Sequence, residues 1–406
     1  MKTIIKEKIE DCEHCSLTLP AHRSVYITAS LTAYLNDWTV ALRRVNIFRV
    51  ILDFLRNEIF VAEPYLMHAL HVMTGSQVNI DPVHARTTRA ASLWHEALAR
   101  EIRIEQLKFF GTYTDSFRAM RQVRGKGRWV YFESLPIPPK RLSHAFQWSD
   151  DKLLFKQFLM SHQIPAAPGY TAQTIVSAQE RLEGLQKPVV VKPRIGTNSR
   201  HTTPLVNSDK EFIDAFSLSQ ELCREVIIEE YLAGHLCRAT VVDGKLVGFL
   251  ESQQPEVVGD GVHSIRDLIQ KHNAQKPERA SEIVLSELNE AHVRRQGYEF
   301  GSILEGGTHV QVSQYPGRGS GGENREILHD VHPEMREVVE RTANLMKIPV
   351  VGFDLIVDNP KENPHGKRWG ILEANTVPFI QIHDNPLYGE PSNVAAAVWD
   401  LWLRNQ

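Results

Sequence analysis

Two short stretches decide the fold: Gly352-Phe353-Asp354-Leu355-Ile356 and Ile371-Leu372-Glu373-Ala374-Asn375. The first lies in an apolar run, Val350 to Val357, that reads as a buried strand with one acid inside it. The second completes a strand expected from Trp369 to Leu372. Glu373 and Asn375 are two apart, so on a strand they point the same way. An acid in an apolar strand is costly unless it is paired or bound to a metal. Asp354, Glu373 and Asn375 therefore read either as an all-oxygen ligand set for Mg²⁺ with phosphates, or with the acid in a structural ion pair with an arginine.

Upstream, Pro188-Val189-Val190-Val191-Lys192-Pro193 is a short buried strand that ends in a lysine. The segment from Arg194 to Thr203 carries Gly196, Thr197, Asn198, Ser199, Arg200 and His201. Small donors beside cations can cradle a phosphate; a surface hairpin with a salt-bridged lysine is the other reading. Val226 to Tyr231 is a further strand, running into Glu229-Glu230-Tyr231-Leu232-Ala233-Gly234. Leu236–Val242 and Lys245–Glu251 flank Asp243-Gly244, a strong hairpin signal, with Arg238 near the start of the first strand. Asp151 to His162 reads as a helix on which Lys152 and Lys156 share a face.

The chain has 406 residues, enough for two or three domains. Its 46 basic and 49 acidic side chains give a net charge of −3, which argues against a dedicated nucleic-acid binder. Four cysteines make no disulfide framework, and Cys12 and Cys15, with His14 and His22 nearby, read as ordinary thiols rather than a zinc site. No export signal or membrane span is visible, so a cytoplasmic location is expected. Residues 27–74 read as helices, with Leu42, Val45, Phe48, Leu52, Leu55 and Ile59 forming one amphipathic stripe. His84 to Phe117 also reads as helical, Trp129 to Phe132 as a strand, and a junction is expected near 136–150.

Six pieces, in order, resemble the ATP-grasp ligases, above all the ATP-grasp module of cyanophycin synthetase and of bifunctional glutathione synthetase. They are Asp151-Lys152, the Val190 to Pro193 strand, Glu229 to Gly234, Val257 to Ile265, Gly319-Ser320-Gly321-Gly322 before Val331-His332-Pro333-Glu334, and the two opening stretches. The resemblance covers some 250 residues from about 150 onward. It implies an α/β (α+β) ATP-grasp fold with a largely helical N-terminal region. Residues 1–135 would be a substrate-binding region, 150–250 the lid and N-terminal subdomain, and 251–406 the metal-binding C-terminal subdomain.

The activity it implies is that of a carboxylate–amine ligase acting on an amino acid or small peptide, through an acyl phosphate made with ATP. By position, Lys152 and Lys192 would hold ATP phosphates with Asn198 and Ser199, and Glu229, Glu230, Tyr231 and Leu232 would line the adenine pocket. Arg238 would contact the γ-phosphate or acyl phosphate, with Lys192 and Arg318 completing the catalytic set. Asp354, Glu373 and Asn375 would bind Mg²⁺ or Mn²⁺. The partners would be a small carboxylate and an amine, with no nucleic acid or membrane; a homodimer is the commonest assembly.

Four departures stand out. The loop after Lys192 has one glycine, His235-Leu236 replaces a ribose-binding acid, Glu251-Ser252-Gln253-Gln254 stands where the pattern is basic, and Thr376-Val377-Pro378-Phe379 keeps only a proline. They motivate two other readings: a non-catalytic nucleotide-binding protein, or a kinase that releases its phosphorylated product. Arg118, Arg124, Arg128 and Arg266, with Arg318 and Ser320, are candidate contacts for an acidic substrate.

Overall fold

The computed structural model describes residues 22–45, 65–74, 78–85, 87–109, 112–121, 127–138, 145–196 and 199–405. Cys12, Cys15, Arg124, Asn198 and most of the expected amphipathic helix lie outside them.

The N-terminal region opens with helix α1 (His22–Arg43) and helix α2 (residues 65–74). Strand β1 (Val78–Asn79) follows, then α3 (Thr88–Ala99), β2 (Ile102–Phe109), β3 (Thr112–Arg121) and β4 (Val130–Glu133). The four strands form one antiparallel sheet in the order β1-β2-β3-β4. This corrects the helix expected through Phe117. Thr87 caps α3 by accepting from the Ala90 N–H, but the helix stops at Ala99 and Glu101 turns the chain with φ 56°. Beyond that turn, Ile102 and Ile104 pair with β3 and bury against Trp94 and Trp399. Long-range pairing overrides a helical spacing that continues through the turn. The strand expected at 129–132 is present as β4.

The next stretch runs α4 (Ala145–Trp148), α5 (Lys152–Ser161), β5 (Gly169–Ala172), α6 (Ile175–Leu182), β6 (Val189–Pro193), β7 (Thr203–Val206), α7 (Asp209–Gln220) and β8 (Val226–Glu230). Asp151 caps α5, accepting from the N–H groups of Leu153 and Leu154 at 3.1 and 3.2 Å. The sheet order is β5-β8-β6-β7, with a core of Val189, Val191, Val226 and Ile228 against Phe212 and Phe216 of α7.

The remainder comprises β9 (His235–Val242), β10 (Lys245–Ser252), β11 (Glu256–Val258), α8 (Ile265–Gln275), α9 (Glu287–Arg294), β12 (His309–Gln311), β13 (Asn324–Glu326), α10 (Pro333–Met346), β14 (Val350–Val357), β15 (Gly370–Asn375) and α11 (Val394–Arg404). Five of these strands form an antiparallel sheet, β13-β10-β9-β14-β15. Period two sorts its side chains. Cys237, Ala239 and Val241 with Val351, Phe353 and Leu355 face α5 and α10 in the main core. Arg238, Thr240, Gly352 and Asp354 face the other way. At the far end of that second face, α11 packs Val398, Trp399 and Trp402 against α3 and the N-terminal sheet. The Trp399 indole donates to the Leu93 carbonyl at 2.9 Å, which ties α11 to α3. Among the described residues no helix is long and apolar enough to cross a membrane.

Candidate functional site

Strand register builds the centre of the site. Arg238 of β9 lies opposite Asp354 of β14, and Asp354 lies opposite Glu373 of β15. One row across three strands thus carries a cation and two acids, and Asn375 joins them from two positions along β15. Arg238 donates to both Asp354 carboxylate oxygens, through Nε and, at 3.0 Å, through Nη2. Asn375 Nδ2 donates to Asp354 Oδ2 at 3.3 Å. Burial and the facing Glu373 push the Asp354 carboxyl up against the pull of Arg238. Burial pushes Glu373 the same way, but Lys152, a hydrogen bond from Asp354 and Arg238 hold it down.

Asp354 and Glu373 of this row floor a cleft with about 1120 Å³ of empty space, partly open to solvent, between the two larger C-terminal sheets. Lys152, Lys192 and Ser199 line it, as do Glu229, Glu230, Tyr231 and Leu232. Lys152 Nζ donates to the Gly196 carbonyl at 2.5 Å and lies 3.7 Å from Glu373. Gln314 reaches across the cleft and donates to the Thr202 carbonyl at 3.4 Å, linking the loop after β6 to the opposite wall.

Glu229 is a pillar of this cleft. Its carboxylate accepts from Lys192 on one oxygen and from Lys156 Nζ at 2.6 Å on the other. Lys156 also donates to the Ala167 carbonyl at 2.6 Å. Burial would raise the Glu229 carboxyl, but the two ammonium groups bring it down to about 2. Burial lowers Lys156, against the opposing charge of Glu229. The salt-bridged lysine considered from the sequence is thus present, inside the cleft rather than on a surface hairpin. Glu230 points to the other face of β8, where it accepts from the Gln186 N–H at 3.0 Å and from Arg368 at 2.6 Å. Neither acid has its carboxylate idle.

A second cleft, with about 630 Å³ of empty space, adjoins the first and shares Leu236 and Asp354 with it. Arg238, Arg318, Ser252 and Asn324 line it. Arg318 Nη1 donates to the Asn385 carbonyl at 2.8 Å. Three other arginines expected to contact an acidic substrate, Arg118, Arg128 and Arg266, are elsewhere. Arg118 pairs with the buried Glu105 at 2.5 Å on the N-terminal sheet, Arg128 donates to the Tyr65 hydroxyl at 3.4 Å, and Arg266 sits over the Phe300 ring. They are engaged in local pairs, and charge alone did not distinguish them from Arg318.

Several residues of the site carried weak sequence signals or none. Lys156, which lies behind the cleft against Glu229, was visible as a face-mate of Lys152. Gln254, Gln314 and Tyr315 enter the cleft from loops whose composition says nothing about their position. Among the described residues, no group of three or more His, Cys, Asp or Glu side chains could hold a metal by itself. Asp354 and Glu373 would need the Asn375 amide oxygen, and the oxygens of a ligand or water, to complete a hard-cation site. That donor chemistry fits Mg²⁺, which keeps several waters and takes only one or two carboxylates.

No family model matches the chain. Over 261 residues, 62% of its length, it is 32% identical to cyanophycin synthetase of Synechocystis sp., covering 30% of that protein. It is 28% identical over 264 residues to the bifunctional glutathione biosynthesis protein of Clostridium perfringens, covering 62% of this chain and 34% of that one. The chain thus spans about a third of the length of these relatives. A crystal structure of a bifunctional glutathione synthetase from Pasteurella multocida superposes with a TM-score of 0.51 at 20% identity, over 78% of this chain and 43% of that chain. The chain is a relative of the cyanophycin synthetases and bifunctional glutathione synthetases, built on the ATP-grasp fold.

Proposed function

We propose that this protein is an ATP-dependent carboxylate–amine ligase that forms an amide or peptide bond on an amino acid or small peptide. One observation carries the reading: two lysines, an arginine and a two-acid, one-amide oxygen set converge where two clefts meet at Asp354. The larger cleft suits the nucleotide. Lys152 and Lys192 would exchange their present partners, the Gly196 carbonyl and Glu229, for phosphate oxygens, assisted by Ser199 and Asn198. Tyr231 and Leu232 would flank the base, with Glu229 and Glu230 beneath them. Asp354, Glu373 and Asn375 would hold Mg²⁺, or Mn²⁺, which when bound neutralises triphosphate charge.

The smaller cleft suits the carboxylate substrate, with Arg318 as anchor and Arg238 at the reacting end. A substrate carboxylate oxygen attacks the γ-phosphorus and ADP departs. The amine nitrogen then attacks the acyl carbon, phosphate leaves, and the nitrogen loses a proton. Arg238 stabilises charge on the transferring phosphoryl and then on the leaving phosphate, a task for preorganised electrostatics rather than for a covalent enzyme intermediate. Residues 1–135 would contribute to substrate selection, 150–250 to the nucleotide lid, and 251–406 to the metal-binding half. The working form would be a homodimer in the cytoplasm.

The test is an ADP-release screen over pairs of carboxylates and amines, with mass detection of product. Amide formed in step with ADP and phosphate is the expected result. A phosphorylated product with no amine requirement would establish a kinase, and nucleotide binding without turnover of any pair would establish a non-catalytic binder.

A further inference from the structure

We infer that helix α1 is a working part of the nucleotide site, and that Asp37 and Arg194 are positioning residues for Lys152 and Lys192. This rests on the nucleotide reading above. Arg194 lies two residues beyond Lys192 and is completely buried, at 0% exposure. Its guanidinium meets three carboxylates. It donates to Asp151 through Nε at 2.9 Å and Nη2 at 2.7 Å, to Asp37 through Nη1 at 2.9 Å and Nη2 at 2.7 Å, and to Glu225 through Nη1 at 2.6 Å.

The location of this cluster gives it consequence. Asp151 is the cap of α5, whose first residue is Lys152, and the Lys152 N–H donates to the Arg194 carbonyl at 3.4 Å. Arg194 also follows directly on β6, the strand that ends Lys192-Pro193. One guanidinium therefore fixes the start of one lysine's helix against the end of the other lysine's strand. Long flexible lysines place their charge only as well as their backbones are held, so this knot sets the separation of two cations that face one ligand.

The third party comes from far away in sequence. Asn36 of α1 donates to Asp151 Oδ2 at 3.1 Å, and the Ser30 hydroxyl of α1 accepts from the Arg224 N–H at 3.1 Å. Ala29 and Ala33 are buried on the same helix, and small side chains permit close approach. Asp37 is the charged contact from α1 to this knot, and its side chain is half exposed, at 54%. Removing its charge leaves Arg194 with Asp151 and Glu225, so the fold retains a paired guanidinium.

The experiment uses the full chain. MgATP is titrated by calorimetry into the wild type, Asp37→Asn, Asp37→Glu and Arg194→Lys, with a thermal melt of each and steady-state kinetics once a substrate pair is known. Asp37→Asn should weaken MgATP binding roughly tenfold, with kcat at saturating ATP little changed. Asp37→Glu should recover most of the affinity. Arg194→Lys should also bind weakly despite its retained charge, because an ammonium cannot make the planar fork. Wild-type affinity in Asp37→Asn, whether its melt is normal or lowered, would overturn the inference. A wild type that binds no MgATP would instead overturn the nucleotide reading itself.

Discussion

Replacing Glu229 by Gln tests whether this residue is a pillar or a nucleotide contact. In the folded chain the residue is 3% exposed and its carboxylate spans Lys156 and Lys192. Its pKa falls from 4.5 to about 2. That shift corresponds to about 3 kcal/mol of stability from this group, to order of magnitude. An independent route agrees: removing one member of a buried pair costs roughly 3–5 kcal/mol, because the buried Lys156 is left without a counter-charge. At about 2–4 °C per kcal/mol for a cooperative unit of roughly 250 residues, the stretch from about 150 onward, Glu229→Gln should lower the melting temperature by about 6–20 °C at neutral pH.

The pH dependence has a definite sign. A depressed carboxyl pKa stabilises above the unfolded value, near 4.5, and that contribution is lost as pH falls through about 2. The gap between wild type and Glu229→Gln should therefore be full at pH 6 and close progressively below 4.5. The double variant Glu229→Gln/Lys156→Met should recover part of the loss, since the stranded ammonium is gone. The assay is thermal melting of the three proteins across this range, followed by tryptophan fluorescence. A single variant that melts within about 2 °C of wild type at neutral pH, with no dependence on pH, would refute the pillar argument.

Three further outcomes are expected. Glu373→Gln should raise the Mg²⁺ concentration required for turnover by about tenfold or more; a Mg²⁺ titration of initial rate on folded protein checks it. Arg238→Ala should lower kcat about 10²- to 10³-fold with a much smaller change in MgATP affinity; comparing calorimetry with single-turnover kinetics separates the two, and equal losses would count against its role at the reacting phosphoryl group. In Gly352→Ala the new methyl would stand 2.9 Å from Pro378 Cβ and 3.2 Å from Arg238 Cδ, so the arginine should shift and turnover should fall more than stability. Activity and melting measured on the same preparation decide it.

The acid-bearing strands were legible in the sequence because their signal is local: an apolar run with one acid, and two polar residues spaced by two. The partner of Asp354 was legible only as a choice between a metal and an arginine, and in the structure Arg238 donates to it. Arg194 was visible as a cation in a loop, but its role depends on Asp37, 157 positions away, and no local pattern encodes that contact. The strands at 102–121 were misread because α3 ends in a left-handed residue with no glycine to announce it, and pairing across β2 and β3 then decides the conformation. The clefts' loop-borne glutamines had no local signature at all.

The row of Arg238, Asp354 and Glu373 has a further property. Its spacing is set by neighbouring strands, which lie about 4.8 Å apart in any sheet. Side-chain replacement can change the sign or reach of a group in this row but not the interval between its backbone stations. The sheet acts as a fixed ruler on which charges are marked, and the marks can be exchanged without redrawing it. On the proposed function, the walls of the smaller cleft can change while the interval from Arg238 to Asp354 and Glu373 stays as it is.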